Sequence, residues 1–129
     1  MDYLHSMKTD LNEIEATLRG ILKAHVPTLR VRKDEKNVLE LCGKKETMQG
    51  KQKVDGFYFG SVVPKPKDIR LYYFPIYTHP AEFEPSDELK KCLKGKSCFH
   101  IKKLSPELEK EITEMVAKGV TLYDKDGLI

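Results

Sequence analysis

A chain of 129 residues is long enough for one compact domain that buries a continuous core without disulfide or metal staples. With 40% hydrophobic and 33% charged residues it has the balance of a water-soluble globular fold, and no apolar run approaches the roughly 18 residues of a membrane span, so no membrane partner is expected. A formal net charge of +3 is too slight to demand a nucleic-acid or membrane surface.

Two further features bear on compartment. The first ten residues, MDYLHSMKTD, lack the basic-then-apolar layout of a secretion signal. Cys42, Cys92 and Cys98 are too few, and odd in number, for a disulfide framework. A cytoplasmic location is the expectation, with each cysteine serving as a small, partly buried hydrophobe.

In chain order, Leu11, Ile14, Leu18, Ile21 and Leu22 follow helical spacing between Asp10 and Val26, and Glu13, Glu15, Arg19 and Lys23 point elsewhere. This is an amphipathic helix for one side of a sheet, capped by Thr9 or Asp10 and ended by Pro27. Leu29 to Arg32 and Asn37 to Cys42 read as short strands around the turn Lys33-Asp34-Glu35-Lys36, and Gly43 to Lys53 as an exposed loop.

The stretch from Gly56 to Pro80 holds most of the aromatic side chains. Phe57 to Val63 and Ile69 to Tyr77 are rich in β-branched and aromatic residues, and Pro64, Lys65, Pro66 and Lys67 between them supply a turn, so an antiparallel hairpin is predicted. Pairing Val63 with Asp68 puts Phe57, Phe59, Ser61, Arg70, Tyr72 and Phe74 on one face and Tyr58, Gly60, Val62, Ile69, Leu71, Tyr73 and Tyr77 on the other. Both faces are apolar, but only the first carries a serine and an arginine, which marks it as the side left open when helices cover the other. Each ring there leaves roughly 150 Å² or more for a ligand, a second copy, or a part of the same chain such as the Met48 region or the C-terminal segment to bury.

Beyond Pro80, Ser86 caps a short helix with Leu89, Cys92 and Leu93 that Gly95 stops, and Ser97 to Ile101 is a strand with Phe99 and Ile101 facing one way and Cys98 and His100 the other. Ser105-Pro106 opens a long helix whose core face is Leu108, Ile112, Met115, Val116, Val120 and Tyr123. Glu107, Glu111 and Glu114 form its acidic face. Helix, antiparallel strands, short helix, strand and long helix make an α+β two-layer sandwich with helices on one face of the sheet.

Few motifs survive inspection. Gly95-Lys96-Ser97 is not a phosphate loop, since Lys90 stands where the first glycine belongs and a strand follows where a helix should. Asp55 to Val62 shares Gly56, Phe57 and Phe59 with an RNA-recognition strand but departs at Asp55, Tyr58, Gly60 and Val62, which disfavours nucleic acid as a partner. Cys98-x-His100 lacks the further ligands of a zinc site, and nothing pairs it into a catalytic triad. Lys90, Lys91, Lys94, Lys96, Lys102 and Lys103 form one basic stretch without an acid.

The segments FYFGSVV, RLYYFPIYTHP and LKKCLKGKSCFHIKKLSPELEKEITEMVAKGVTLY, which cover most of Gly56 to Tyr123, resemble the bacterial YdhG-like family, a domain of unknown function. The most specific part is Leu93 to Ile101. The resemblance implies an α+β sandwich. Some relatives are described as frataxin-like iron chaperones, which would imply an acidic metal site; on this chain the first helix offers Asp10, Glu13 and Glu15, with the Glu107 stripe as a second source of oxygen ligands.

The leading expectation is therefore a cytoplasmic binding module, not an enzyme, that uses Phe57, Phe59, Arg70, Tyr72 and Phe74 to hold a small ligand or to form a homodimer. The alternative is the frataxin-like iron chaperone. No cofactor is identified.

Overall fold

The computed structural model describes residues 7–129. Helix α1 spans Leu11–Lys23; Ile14, Leu18 and Leu22 recur on one side and are buried, and the Asp10 carboxylate accepts the Asn12 N–H at its start. The helix ends short of Val26, and the chain passes through turns and a cis Val26–Pro27 bond. Strands β1 (Arg30–Glu35) and β2 (Val38–Cys42) pair antiparallel around a turn tighter than the one predicted. The expected loop carries a small ribbon of its own, β3 (Thr47–Gln49) with β4 (Gln52–Val54), turned by Gly50 at φ 62°.

The aromatic hairpin follows as β5 (Tyr58–Pro64) and β6 (Ile69–Tyr73). β6 stops before Tyr77 because Pro75, which has no N–H for a ladder, opens the short helix α2 (Pro75–Thr78). After a 3-10 turn at Pro80–Glu82 come α3 (Asp87–Cys92), β7 (Leu93–Lys94), β8 (Cys98–Ile101) and α4 (Pro106–Lys125). The Ser105 side chain is buried, accepts the Leu108 N–H to cap α4, and donates to Glu88 of α3. α4 runs unbroken through Gly119.

The strands form one antiparallel sheet in the order β1-β2-β5-β6-β8-β7. Leu39, Leu41, Val62, Ile69, Leu71, Tyr73, Phe99 and Ile101 aim from one face into a core shared with Ile14, Leu18 and Leu22 of α1 and Leu108, Ile112, Val116 and Tyr123 of α4. Each such aliphatic side chain, sealed from water, contributes about 1.5–3 kcal/mol of transfer free energy. The α+β sandwich with helices on one face is thus the observed architecture.

The hairpin register differs from the predicted one in two ways. Val63 pairs with Arg70 instead of Asp68, a shift of two residues that preserves which side chains share a face. More consequential is a bulge between β2 and β5: Leu41 pairs with Gly60 and Cys42 with Tyr58, leaving Phe59 without a partner. The extra residue reverses the alternation below Gly60. Tyr58 therefore joins Ser61 on the open face, its hydroxyl 2.7 Å from Ser61 Oγ, and Phe59 turns into the core, edge-on to Tyr73 and Tyr123 with ring centroids 5.7 and 5.3 Å away.

Three tyrosines titrate with the fold. Burial pushes the Tyr58 phenol up to about 12 and raises Tyr73 and Tyr123 as well. An unfolded tyrosine ionises near pH ~10, so the stabilisation from keeping these phenols neutral is whole below that pH and is lost as pH rises through the folded values. Their phenolate absorbance is expected to grow in step with loss of helical ellipticity in strong alkali; full ionisation with the ellipticity intact would contradict the burial.

Candidate ligand site on the open sheet face

The face of the sheet away from the helices is built from cross-strand rows. One row reads Lys33, Glu40, Ser61, Tyr72, Cys98 and Lys94 from β1 to β7, and the next places Val63, Arg70 and His100 side by side. Glu40, Val63, Arg70, Tyr72, Cys98 and His100 are each half-buried, as expected of side chains standing on a sheet without a helix above them. Charge is balanced at the β1–β2 end, where Arg32 Nε binds Glu40 at 2.6 Å.

The other end is anchored by Asp68. Its side chain is only 9% exposed, with Arg70 Nε 3.3 Å from one carboxylate oxygen and His100 Nδ1 3.5 Å from the other. Burial alone would lower the Arg70 guanidinium, but the hydrogen bond and charge of Asp68, joined by the Tyr72 hydroxyl, outweigh it and raise its pKa. Arg70 is thereby a cation whose Nε edge is held by Asp68. Burial raises the Cys98 thiol, against the opposing influence of Tyr72 and Arg70, so this group is not the thiolate that nucleophilic chemistry requires.

Two shallow depressions meet at Asp68 and Lys102. The first, about 320 Å³, is lined by Lys65, Lys67, Arg70 and Lys102; the second, about 430 Å³, by Lys91, Lys94, Lys102, Lys103 and His100 beside Glu88, Cys92 and Leu108. Lys91, Lys94, Lys102 and Lys103 belong to the basic stretch visible in the sequence, and Lys65 and Lys67 join them because Ile69 pairs with Ile101 across β6 and β8.

Of the five side chains expected to form the binding face, Arg70 and Tyr72 stand on it. Phe59 does not: the bulge seals it at 0% exposure. Phe57 is corrected too: it packs against the core and lies edge-on to Tyr123 of the C-terminal helix at 5.6 Å. Phe74 is half-buried, 5.8 Å from Phe57, 5.6 Å from Tyr58 and 5.4 Å from Tyr77, at the end of the sheet where Tyr58 joins the open face. Sequence reasoning missed Asp68 and His100 as a pair, since the clamp arises only from strand pairing.

The acidic residues of α1 do not converge. Asp10 caps the helix, Glu13 is exposed, and Glu15 binds Arg19 Nε at 2.9 Å. On α4, Glu111 accepts the N–H and hydroxyl of Ser86. Among the described residues no group of three or more His, Cys, Asp or Glu side chains is disposed to hold a metal ion. No helix among the described residues is long and apolar enough to cross a membrane. Comparison with protein-family models, curated proteins and solved structures finds no match.

Proposed function

We propose that this chain is a small non-enzymatic binding module that holds a ligand on the open face of its sheet, around Arg70, Tyr72 and His100. The observation that carries the reading is the Asp68 clamp: a nearly buried carboxylate fixes an arginine and a histidine on a face that neither long helix covers. Pre-organised donors of that kind bind without first giving up side-chain freedom. The half-buried Tyr72 ring beside them offers a flat apolar surface.

A ligand fits this face better than a second copy does. The row across the sheet confines Ser61, Tyr72 and Cys98 between Lys33 and Glu40 at one end and Lys94 at the other, a short stretch for a dimer core. The sheet edges are also guarded, β1 by Arg30, Arg32 and Lys33 and β7 by having only two residues. The three free cysteines suit a reducing compartment, and a cytoplasmic location belongs to the same proposal. Kinship with the YdhG-like family rests on its sequence motif alone, and among the described residues no side-chain arrangement favours the iron-chaperone alternative.

Benzoate, an aromatic monoanion, is a suitable probe. Titration followed by backbone amide resonances is expected to move Ser61, Arg70, Tyr72, Cys98 and His100 together, and the double variant Arg70→Ala/Tyr72→Ala is expected to abolish these shifts while remaining folded, with a loss of about 1–3 kcal/mol from leaving the Asp68 carboxylate without its guanidinium. Shifts that avoid this face, or persist in the double variant, would remove the assignment.

A further inference from the structure

We infer that the ligand of this face carries a cluster of negative charges, such as the di- or triphosphate of a small molecule, seated in the corner where the β5–β6 turn meets the end of β8. This rests on the reading of the sheet face given above and names the chemistry of its occupant.

The corner gathers Lys65, Lys67, Lys91, Lys94, Lys102 and Lys103 with Arg70 around two carboxylates, a local excess of five positive charges against +3 for the whole chain. Both carboxylates are engaged: Asp68 with Arg70 and His100, and Glu88 with the Ser105 hydroxyl at 2.8 Å. Among the described residues, none of the six lysines forms an ion pair with a carboxylate, so the positive charge of the corner is not neutralised within the chain. A solvated surface would distribute such charges; here they ring a concavity and repel one another until an anion enters.

Arg70 gives the corner its direction. Asp68 takes the Nε edge of the guanidinium, so the terminal nitrogens are the part of the fork available beyond the Tyr72 hydroxyl, and a fork of that kind matches two phosphate oxygens. Each depression is of the size that small ligands fill, and their sharing of Asp68 and Lys102 lets one molecule span both.

The occupant is a small molecule, not a nucleic-acid strand. A strand needs a continuous basic track with successive stacking platforms, and the track is interrupted along this face. Farther along the face Arg32 is neutralised by Glu40 and Asp55.

The test uses inorganic tripolyphosphate, followed by titration calorimetry and amide resonances. Binding is expected with shifts at Lys65 to Arg70 and at Ile101 to Lys103, and the triple variant Lys65→Gln/Lys67→Gln/Lys102→Gln is expected to bind about tenfold more weakly with an unchanged resonance pattern elsewhere. Absence of heat and shifts, equal binding by the triple variant, or abolition by sodium chloride matched in ionic strength would each overturn the inference. So would tighter binding of an oligodeoxythymidine than of tripolyphosphate, which would mark a nucleic-acid surface. If benzoate moves the open face and tripolyphosphate does not, only the charge class falls; if neither moves it, the site itself falls.

Discussion

Replacing Phe59 with alanine is expected to remove about 3–5 kcal/mol of folding free energy, whereas Tyr72→Ala, one strand away, is expected to change it by no more than about 1 kcal/mol. The two rings look alike in the sequence, and the difference is one of environment. Phe59 has no exposed surface and lies edge-on to two further buried rings, Tyr73 and Tyr123, so its removal leaves a cavity between the sheet and α4 that these neighbours cannot fill by collapse. Tyr72 stands on the open face, where water replaces the lost ring. Urea denaturation of both variants with unchanged m-values checks this directly. A small loss for Phe59→Ala accompanied by lost benzoate binding would return that ring to the ligand face.

The reason Phe59 was legible as aromatic and strand-forming but not as core lies in the bulge. Alternation assigns faces only while pairing is uninterrupted, and one unpaired residue exchanges the two faces for everything before it. Arg70, Tyr72 and Ser61 lie beyond the interruption and keep their expected face; Phe57, Tyr58 and Phe59 lie at or before it. Gly60, inside an otherwise β-branched and aromatic strand, is the available hint, since an isolated strand glycine often marks a bulge. The two long helices were legible because their apolar residues repeat over several turns and Asp10, Ser105 and Pro106 mark their starts. The ribbon between Thr47 and Val54 was not, because three-residue strands without apolar alternation leave no periodic trace.

The candidate site was legible only in fragments. Lys102 and Lys103 stand out as part of a basic stretch, Lys65 and Lys67 read as turn residues, and Asp68 reads as an ordinary turn acid. What joins them is the pairing of Ile69 with Ile101 and of Arg70 with His100, a relation between residues that no local pattern encodes. Once those pairs form, the carboxylate of Asp68 has the Arg70 guanidinium and the His100 ring as neighbours and little water, and the lysines on either side have no carboxylate to answer them. Recognition chemistry here is a product of sheet topology, as is common for sites assembled from strand ends and the turns between them.

The same dependence on long-range packing inverts a rule of thumb at Gly119. In an exposed helix interior, glycine to alanine is worth about 1 kcal/mol of added stability. Gly119→Ala is expected instead to cost about 2 kcal/mol or more, because α4 is pressed against the end of β6 at that turn. A methyl carbon there would lie 2.2 Å from the Tyr73 hydroxyl oxygen and 3.0 Å from Pro75 Cγ. Tyr73 cannot yield, being fully buried with its hydroxyl donating to the Met115 carbonyl of the same helix. Either the helix moves off the sheet, or the hydroxyl loses its acceptor in a site that water does not reach, at a cost of about 1–3 kcal/mol. A double-mutant cycle separates these effects from a general intolerance of the position. In a Tyr73→Phe background the oxygen is gone, and Gly119→Ala should lose most of its penalty, with only the closer approach to Pro75 and the ring remaining. Equal penalties in the two backgrounds would show that the hydroxyl is not what the glycine accommodates, and stabilisation in the native background would show that α4 and β6 are not in contact there at all.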